Sequence, residues 1–224
     1  MNKIIITLLL FTAFGSTAAS AQSLFDDDEE ELGIRLSISG ELNSANAWRA
    51  EVGCHWFPCP YVGLGGSIGQ WKQFAHDYVP CGQDWVINSD YRNASNFFIQ
   101  PSVVLQSPML VKTQNGGLSL FGQAGVMFNI PYERVGVDVY YNDYYISDYY
   151  DYTSSNRGRF CFPAFRLGLS FKIDAITISA GYSYSDLDVY AARRKMTYAH
   201  ESFSSFYPSP KGTQGAFISL AVNM

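Results

Sequence analysis

Three adjacent residues near the C-terminus, His200, Glu201 and Ser202, belong to the residue types that carry nucleophilic catalysis. A serine nucleophile needs a histidine base within hydrogen-bonding distance and a third group that orients the base. Neighbours in one loop rarely hold that geometry, and the remaining histidines, His55 and His76, lie far away in the sequence. We therefore predict no catalytic residue and no cofactor.

The most unusual segment is Val137–Tyr152, with the sequence VDVYYNDYYISDYYDY. Tyrosine offers rigid, amphipathic contact area at a low entropic cost, and recognition surfaces are rich in it for this reason. Rings with neighbouring carboxylates can stack on sugars and bind their hydroxyl groups. The predicted ligand-binding residues are Tyr140, Tyr141, Asp143, Tyr144, Tyr145, Asp148, Tyr149 and Tyr150. The alternative is a tyrosine-rich hairpin that binds nothing.

The N-terminal segment predicts export from the cytoplasm. Lys3 precedes an apolar stretch, Ile4–Phe14, and Ala19-Ser20-Ala21 supplies a cleavage site of small residues. This order predicts a secretory signal peptide over residues 1–21. A membrane anchor is the alternative, but the apolar stretch is too short to cross about 30 Å of hydrocarbon as a helix.

The rest of the composition differs from that of an ordinary soluble domain. Of the 224 residues, 16% are charged and 16% are aromatic, whereas an average soluble domain has about 25% charged residues. The pI is near 5.1, whereas a nucleic-acid-binding protein has an excess of basic residues, so no nucleic acid partner is expected. The acidity comes from six consecutive acids, Asp26–Glu31. We predict a solvated acidic linker over residues 22–32 and one domain over residues 33–224.

Apolar and polar residues alternate in eight segments of the predicted domain. The first is Gly33–Leu42, with the sequence GIRLSISGEL. A period of two residues is the signature of a β-strand, and no amphipathic helix is predicted. The eight predicted strands cover residues 33–42, 47–57, 61–71, 96–106, 118–130, 161–172, 175–185 and 215–224.

Tight turns and long connections alternate between these strands. The tight turns are predicted at Pro58-Cys59-Pro60, around Asn115-Gly116-Gly117 and at Asp174. Long connections cover residues 72–95, 131–160 and 186–214, and the exception is the short link Asn43–Asn46 after the first strand. Short turns at one end and long loops at the other are typical of a barrel in an outer membrane. The predicted fold class is therefore all-β, an eight-stranded antiparallel up-and-down transmembrane β-barrel, with the acidic linker on the periplasmic side.

The polar face of the strands points into the lumen in a membrane barrel and toward solvent in a soluble barrel. This face consists mostly of Gly, Ser, Gln and Asn, which suit the narrow lumen of an eight-stranded barrel. The few charges on it have both signs, and buried charges must be paired. We predict an ionic network in the lumen that consists of Arg35, Glu41, Arg49, Glu51 and Arg166. Solvated pairs on the surface of a soluble barrel are the alternative.

The four cysteines, Cys54, Cys59, Cys81 and Cys161, form an even number in a chain with an export signal, so disulfides are permitted. The topology favours the pairs Cys54–Cys59 and Cys81–Cys161, because a pair across the membrane thickness would exceed the reach of a disulfide. Four unpaired small apolar residues are the alternative. Neither the cysteines nor the acids of the tyrosine-rich segment have the spacing of a zinc or EF-hand motif, so no metal site is predicted.

Two stretches carry a family resemblance, His55–Trp71 (HWFPCPYVGLGGSIGQW) and Pro101–Tyr132 (PSVVLQSP…LSLFGQAGVMFNIPY). Both are similar to the small outer-membrane β-barrel proteins common in Bacteroidetes, which have eight-stranded barrels of the OmpA/OmpX-like type. The resemblance spans residues 33–224. It implies a location in the outer membrane of a Gram-negative bacterium, and it implies no catalytic residues.

The predicted function is that of a small integral outer-membrane protein with a structural or surface-recognition role through its long loops, and no enzymatic activity. The expected partners are outer-membrane lipid and lipopolysaccharide around the barrel and a surface glycan or protein at the loops. We expect a monomer. Two alternatives stay open: an outer-membrane lipid-modifying hydrolase that uses His200 and Ser202, and a soluble secreted ligand-binding barrel.

Overall fold

A computed structural model describes residues 33–75, 78–113, 116–140, 149–209 and 211–224, so the predicted signal peptide and acidic linker lie outside the described residues. Within the described ranges, no helix is both long and apolar enough to cross a membrane. Short 3₁₀ helices cover Ser89–Tyr91, Arg193–Lys195 and Phe203–Ser205. In chain order the strands are β1 Gly33–Asn43, β2 Ala47–Cys59, β3 Val62–Gln73, β4 Trp85–Ile87, β5 Ser95–Gln106, β6 Val111–Thr113, β7 Gly116–Asn129, β8 Glu133–Val139, β9 Tyr149–Ser155, β10 Cys161–Ile173, β11 Ile176–Ser185, β12 Thr197–Tyr198, β13 Glu201–Ser202 and β14 Thr213–Asn223.

Eight long strands form a closed antiparallel barrel in the order β1, β2, β3, β5, β7, β10, β11 and β14. The barrel closes because β14 pairs with β1, from Asn223 opposite Arg35 to Gly215 opposite Asn43. The predicted fold class is confirmed: the chain is an all-β, eight-stranded, antiparallel up-and-down barrel. No predicted strand end differs from the observed one by more than two residues.

One end of the barrel, which we call the turn end, carries the tight connections. Asp174 joins β10 to β11 with a φ of 49°, a left-handed conformation that Asp tolerates better than most residues. Between β5 and β7 the short strand β6 pairs with the start of β7, and Thr113 lies opposite Gly116. A turn was predicted around Asn115-Gly116-Gly117, and this extra ladder places the two glycines at the start of β7. Asn115 lies outside the described residues.

The alternation places polar side chains in the lumen and apolar side chains on the outer face. Ile38, Leu167 and Ile218 are 61–65% exposed on the outside of the barrel, whereas Gln100 and Ser170 are buried inside. The predicted orientation of the two faces is therefore the one observed.

Aromatic rings fill the parts of the lumen that face glycine. A Cβ atom on Gly63 would lie 2.6 Å from the ring of Phe57, and one on Gly69 would lie 2.7 Å from the ring of Phe98. These inward glycines leave room for the rings, so the lumen is packed by large and small residues in alternation.

The long connections at the other end, the loop end, fold into a cap. It consists of the described parts of residues 74–94, 130–160 and 186–212. In the cap, β4, β8 and β9 form a three-stranded sheet, and β12 pairs with β13. Val135 and Val137 of β8 are fully buried. They belong to one hydrophobic core that joins the cap to the barrel mouth and also contains Trp71, Trp85, Ile87, Ala94, Phe98, Met127, Phe162, Leu187, Val189, Tyr190, Ala191, Met196, Phe203 and Tyr207.

Candidate functional site

Four charged side chains from three strands meet in the lumen. A carboxylate oxygen of Glu41 lies 3.0 Å from a guanidinium nitrogen of Arg166 and 3.7 Å from one of Arg49. Glu51 accepts a hydrogen bond from Nε of Arg49 at 3.0 Å and also pairs with Arg166. None of the four side chains is more than 5% exposed. Two charges of each sign therefore compensate one another, as a buried ionic cluster requires.

The fifth residue of the predicted network, Arg35, has different neighbours. Its Nε donates a hydrogen bond to Asn223 at 2.6 Å, and its Nη1 donates one to Gln106 at 3.0 Å. The guanidinium carbon lies 4.1 Å from the ring centroid of Phe57. These contacts hold Arg35 where β1, β14 and β5 approach the turn end.

Neutral polar side chains continue the network through the lumen. Ser39 donates a hydrogen bond to Glu51 at 2.8 Å. His55 and Ser102 share a hydrogen bond of 2.9 Å, and Gln123 donates to the same serine hydroxyl at 3.0 Å. A cavity of about 30 Å³ adjoins these groups, which is enough space for about two water molecules. The lumen around the network is therefore filled by side chains and leaves no room for an organic ligand.

A buried cation joins the three segments of the cap. Nε of Arg193 donates a hydrogen bond to Glu133 at 2.6 Å, and its Nη1 donates one to the backbone carbonyl of Arg92 at 2.8 Å. Burial opposes the charge of Arg193, but the adjacent carboxylate of Glu133 raises the pKa of Arg193 above its ordinary value. The next residue, Arg194, pairs with Asp188. The cap is thus held by ionic contacts as well as by its apolar core.

Three of the predicted ligand-binding residues of the tyrosine-rich segment are described. Tyr140 follows β8 and is half-buried, and its backbone N–H donates to the carbonyl of Asp84 at 2.8 Å. Tyr149 and Tyr150 begin β9 and are exposed. The pairing of β8 with β9 makes a tyrosine-rich hairpin, and the ligand-binding role of its residues stays a prediction. Outside the described residues lie Tyr141, Asp143, Tyr144, Tyr145 and Asp148.

Tyr150 belongs to a ring cluster that two cap segments build together. Its ring centroid lies 4.8 Å from that of Tyr152, and the centroid of Tyr91 lies 6.2 Å from that of Tyr152. Both pairs pack edge to face. The guanidinium carbon of Arg134 lies 3.5 Å from the ring centroid of Tyr152. We call Tyr91, Arg134, Tyr150 and Tyr152 the tyrosine platform.

Neither a family model nor a curated protein matches this chain, whereas several solved structures of outer-membrane barrels are similar to it. The N-terminal β-barrel domain of Pseudomonas aeruginosa OprF is 13% identical, with 88% of this chain and 100% of that one covered and a TM-score of 0.43. Neisserial surface protein A is 11% identical over 85% and 94% of the two chains, with a TM-score of 0.43. A major outer membrane protein from Thermus thermophilus is 10% identical over 86% and 98%, with a TM-score of 0.49. The barrel assignment itself rests on the strand register described above.

The residues of the predicted hydrolase alternative lie in the cap. His200 has a φ of 68° in the turn between β12 and β13. The hydroxyl of Ser202 accepts a hydrogen bond from the backbone N–H of Ser204 at 3.3 Å and shares one of 2.9 Å with its side chain. Ser202 is thus the N-cap of the 3₁₀ helix Phe203–Ser205. His76 lies outside the described residues. Among the described residues, no three His, Cys, Asp or Glu side chains form a group that could hold a metal ion.

No disulfide joins Cys54, Cys59, Cys81 and Cys161 in the structure. The Cys81–Cys161 pair stays a prediction, whereas the positions of Cys54 and Cys59 argue against the other pair. Cys54 and Cys59 lie in the same strand, β2. Five residues of extended chain separate their Cα atoms by about 16 Å, whereas a disulfide allows about 7 Å. Cys81 lies in the cap and Cys161 at the start of β10, also at the loop end of the barrel.

The platform residues Tyr91, Arg134 and Tyr152 are absent from the residues predicted from the sequence. Arg134 precedes the tyrosine-rich stretch, and Tyr91 belongs to a different connection. The pairing of β8 with β9, which places Gly136 opposite Tyr152, brings Arg134 and Tyr152 to one side of the sheet. Tyr91 reaches the same side because its ring packs against that of Tyr152. In the sequence, the local indication of a solvent-facing side of β8 was the alternation of Arg134, Gly136 and Asp138 with apolar residues.

Proposed function

We propose that this chain is a small integral protein of the Gram-negative outer membrane, with a closed lumen and a folded surface cap that recognises a partner. The observation that carries the proposal is the outer face of the barrel. Large apolar side chains cover it on every strand, for example Leu36 on β1, Val103 on β5 and Phe171 on β10. The largest apolar patch of a typical soluble monomer is about 300–600 Å², whereas this band surrounds the barrel.

Charge distribution on the same face supports the proposal. The structure describes all eight barrel strands in full, and among their outward positions Lys72 is the one charged residue. It lies at the loop end of β3, opposite Trp48 of β2. A cation beside an aromatic ring at the end of a strand suits the headgroup region of a bilayer. The expected partners of this face are outer-membrane lipid and lipopolysaccharide.

The lumen favours a membrane barrel over a soluble ligand-binding barrel. A soluble barrel that carries an apolar ligand needs an apolar interior with free volume. Here the interior is polar, ionic and packed, with a cavity of about 30 Å³. Membership of the small Bacteroidetes barrels stays a prediction from the sequence.

Heat modifiability tests the membrane proposal. We expect the full chain, produced in a Gram-negative host, to remain in the carbonate-washed outer-membrane fraction. On a detergent gel the unboiled protein should migrate differently from the boiled protein, because a closed barrel resists the detergent until it is heated. A monodisperse protein in buffer without detergent would contradict the proposal.

A test of the recognition role requires a variant in which the cap keeps its fold. Val139 and Tyr149 are paired at the end of the β8–β9 hairpin, so a two-residue Asn-Gly turn can replace residues 140–148 without breaking the ladder. We expect this variant to assemble like the wild type. Binding of fluorescently labelled cells by the two proteins then shows whether these predicted ligand residues contribute. Equal binding by the two proteins would mean that residues 140–148 do not contribute to recognition.

A further inference from the structure

We infer that the tyrosine platform binds an acidic sugar residue of a surface glycan. This inference rests on the proposed function, because it requires the cap to face the exterior of the cell. It adds the chemical class of the ligand and a set of residues that bind it, only one of which, Tyr150, belongs to the set predicted from the sequence.

The platform is a preorganised aromatic surface. Gly136 lies at its base, where an added Cβ atom would come within 2.3 Å of the Tyr150 hydroxyl and 2.9 Å of the Tyr91 ring. The missing side chain therefore lets both rings pack against the backbone of β8. Tyr150 and Tyr152 are still 38% and 40% exposed. Rings that are already fixed lose little entropy when a ligand binds.

Arg134 supplies the charge that selects an acidic ligand. Its guanidinium stacks on the ring of Tyr152 at 3.5 Å, and the residue is exposed. Stacking occupies one face of the guanidinium plane and leaves the N–H groups at its edge, whose geometry matches a carboxylate. A sugar with a carboxylate can thus place its apolar ring face on a tyrosine and its charge on Arg134.

Two carboxylates beside the platform, Asp138 on β8 and Asp151 on β9, are engaged by other protein groups. Both oxygens of Asp138 accept hydrogen bonds from the Asn88 amide, at 3.0 and 3.1 Å. Asp151 accepts from the Tyr198 hydroxyl at 3.1 Å and from the backbone N–H of Tyr152 at 2.7 Å. These bonds direct the two acids toward the protein, so the platform offers a cation, aromatic rings and hydroxyl groups to a ligand.

The experiment compares two oligosaccharides that differ in one acidic residue. The full chain, folded in detergent, is titrated with 3′-sialyllactose and with lactose. We expect the acidic trisaccharide to bind at least about tenfold more tightly, since a charge-assisted hydrogen bond contributes that much or more. The substitutions Arg134→Gln and Tyr152→Ala should each remove this preference. Tyr132→Ala changes an exposed cap tyrosine outside the platform and should leave it unchanged.

Several results would overturn the inference. They are equal binding of the two oligosaccharides, no binding of either, and an unchanged preference in Arg134→Gln. Labelled cells treated with periodate should lose binding, and binding that survives this oxidation would assign the surface to a protein partner instead. Each variant is first checked for heat modifiability. A wild type without a heat-modifiable band would contradict the membrane proposal, which is a different outcome from a folded barrel that ignores the acidic sugar.

Discussion

The Glu41 carboxylate on β1 accepts a hydrogen bond from Arg166 on β10 at 3.0 Å, although 125 residues separate them in the sequence. The two strands are not neighbours in the barrel, because β11 and β14 lie between them. The contact therefore crosses the lumen and links separate parts of the wall. It exists only when the barrel is closed, so the buried ions depend on the completed fold and in turn stabilise it.

Removal of one buried acid should destabilise the barrel strongly. In Glu51→Gln, the charge that faces both Arg49 and Arg166 disappears, and this cluster keeps two cations for the single carboxylate of Glu41. Breaking a buried ionic cluster in this way costs about 3–5 kcal/mol. Urea unfolding in detergent, followed by tryptophan fluorescence, measures the change in the free energy of unfolding.

Glu201→Gln is the matched control for this measurement, because Glu201 is exposed in the cap. We expect it to change the free energy of unfolding by no more than about 0.5 kcal/mol. Equal stability of the two variants would mean that water in the lumen screens the ions. The lumen would then be hydrated and not closed by packed side chains.

A charge on the outer face of the barrel should prevent assembly, whereas the same charge on the cap should not. Leu167 and Tyr149 have similar exposures, 63% and 56%. An arginine in the lipid-facing band costs about 2–4 kcal/mol near the middle of the bilayer, and it costs little in water. Leu167→Arg should therefore reduce the heat-modifiable fraction in the outer membrane, and Tyr149→Arg should preserve it. Normal assembly of both variants would indicate that water surrounds the outer face.

The barrel could be predicted because its signal is local. Every strand repeats the same two-residue alternation, and the polar face of that alternation already contained Glu41, Arg49, Glu51 and Arg166. Their pairing followed from the physical rule that buried charges need partners. The separation of Cys54 from Cys59 was harder to predict, because the second strand continues through Phe57 to Cys59 and keeps both cysteines in one extended segment.

The cap could not be predicted because its parts come from three connections without a common period. Trp85 stacks on Phe203 at a centroid distance of 5.4 Å, and the long stretch of sequence between them offers no pattern that links the two. The tyrosine-rich segment is unusual in composition, but its composition does not reveal that Tyr91 lies beside Tyr152. Such contacts depend on tertiary packing and are visible only in the structure.

The geometry of β2 predicts the chemical state of two cysteines. After alkylation of the denatured, unreduced protein with iodoacetamide, no peptide should be cross-linked between Cys54 and Cys59, because about 16 Å of extended chain prevents a bond between them. Peptide mass spectrometry before and after reduction provides the measurement and its control. A peptide cross-linked between these two residues would mean that β2 ends before Cys59.

A cavity in the core of the cap should open the cap and leave the barrel intact. Trp85 is 4% exposed and packs against Tyr198 and Phe203, so Trp85→Ala should cost about 3–5 kcal/mol. This loss falls on the cap, because the barrel strands keep their own ladder of hydrogen bonds. Trypsin should then cleave after Arg193, which is buried in the wild type, at least about tenfold faster.

Trp56→Ala, on the outer face of the barrel, should leave the cleavage rate unchanged. If Trp85→Ala instead abolished heat modifiability together with protease resistance, cap and barrel would form a single cooperative unit.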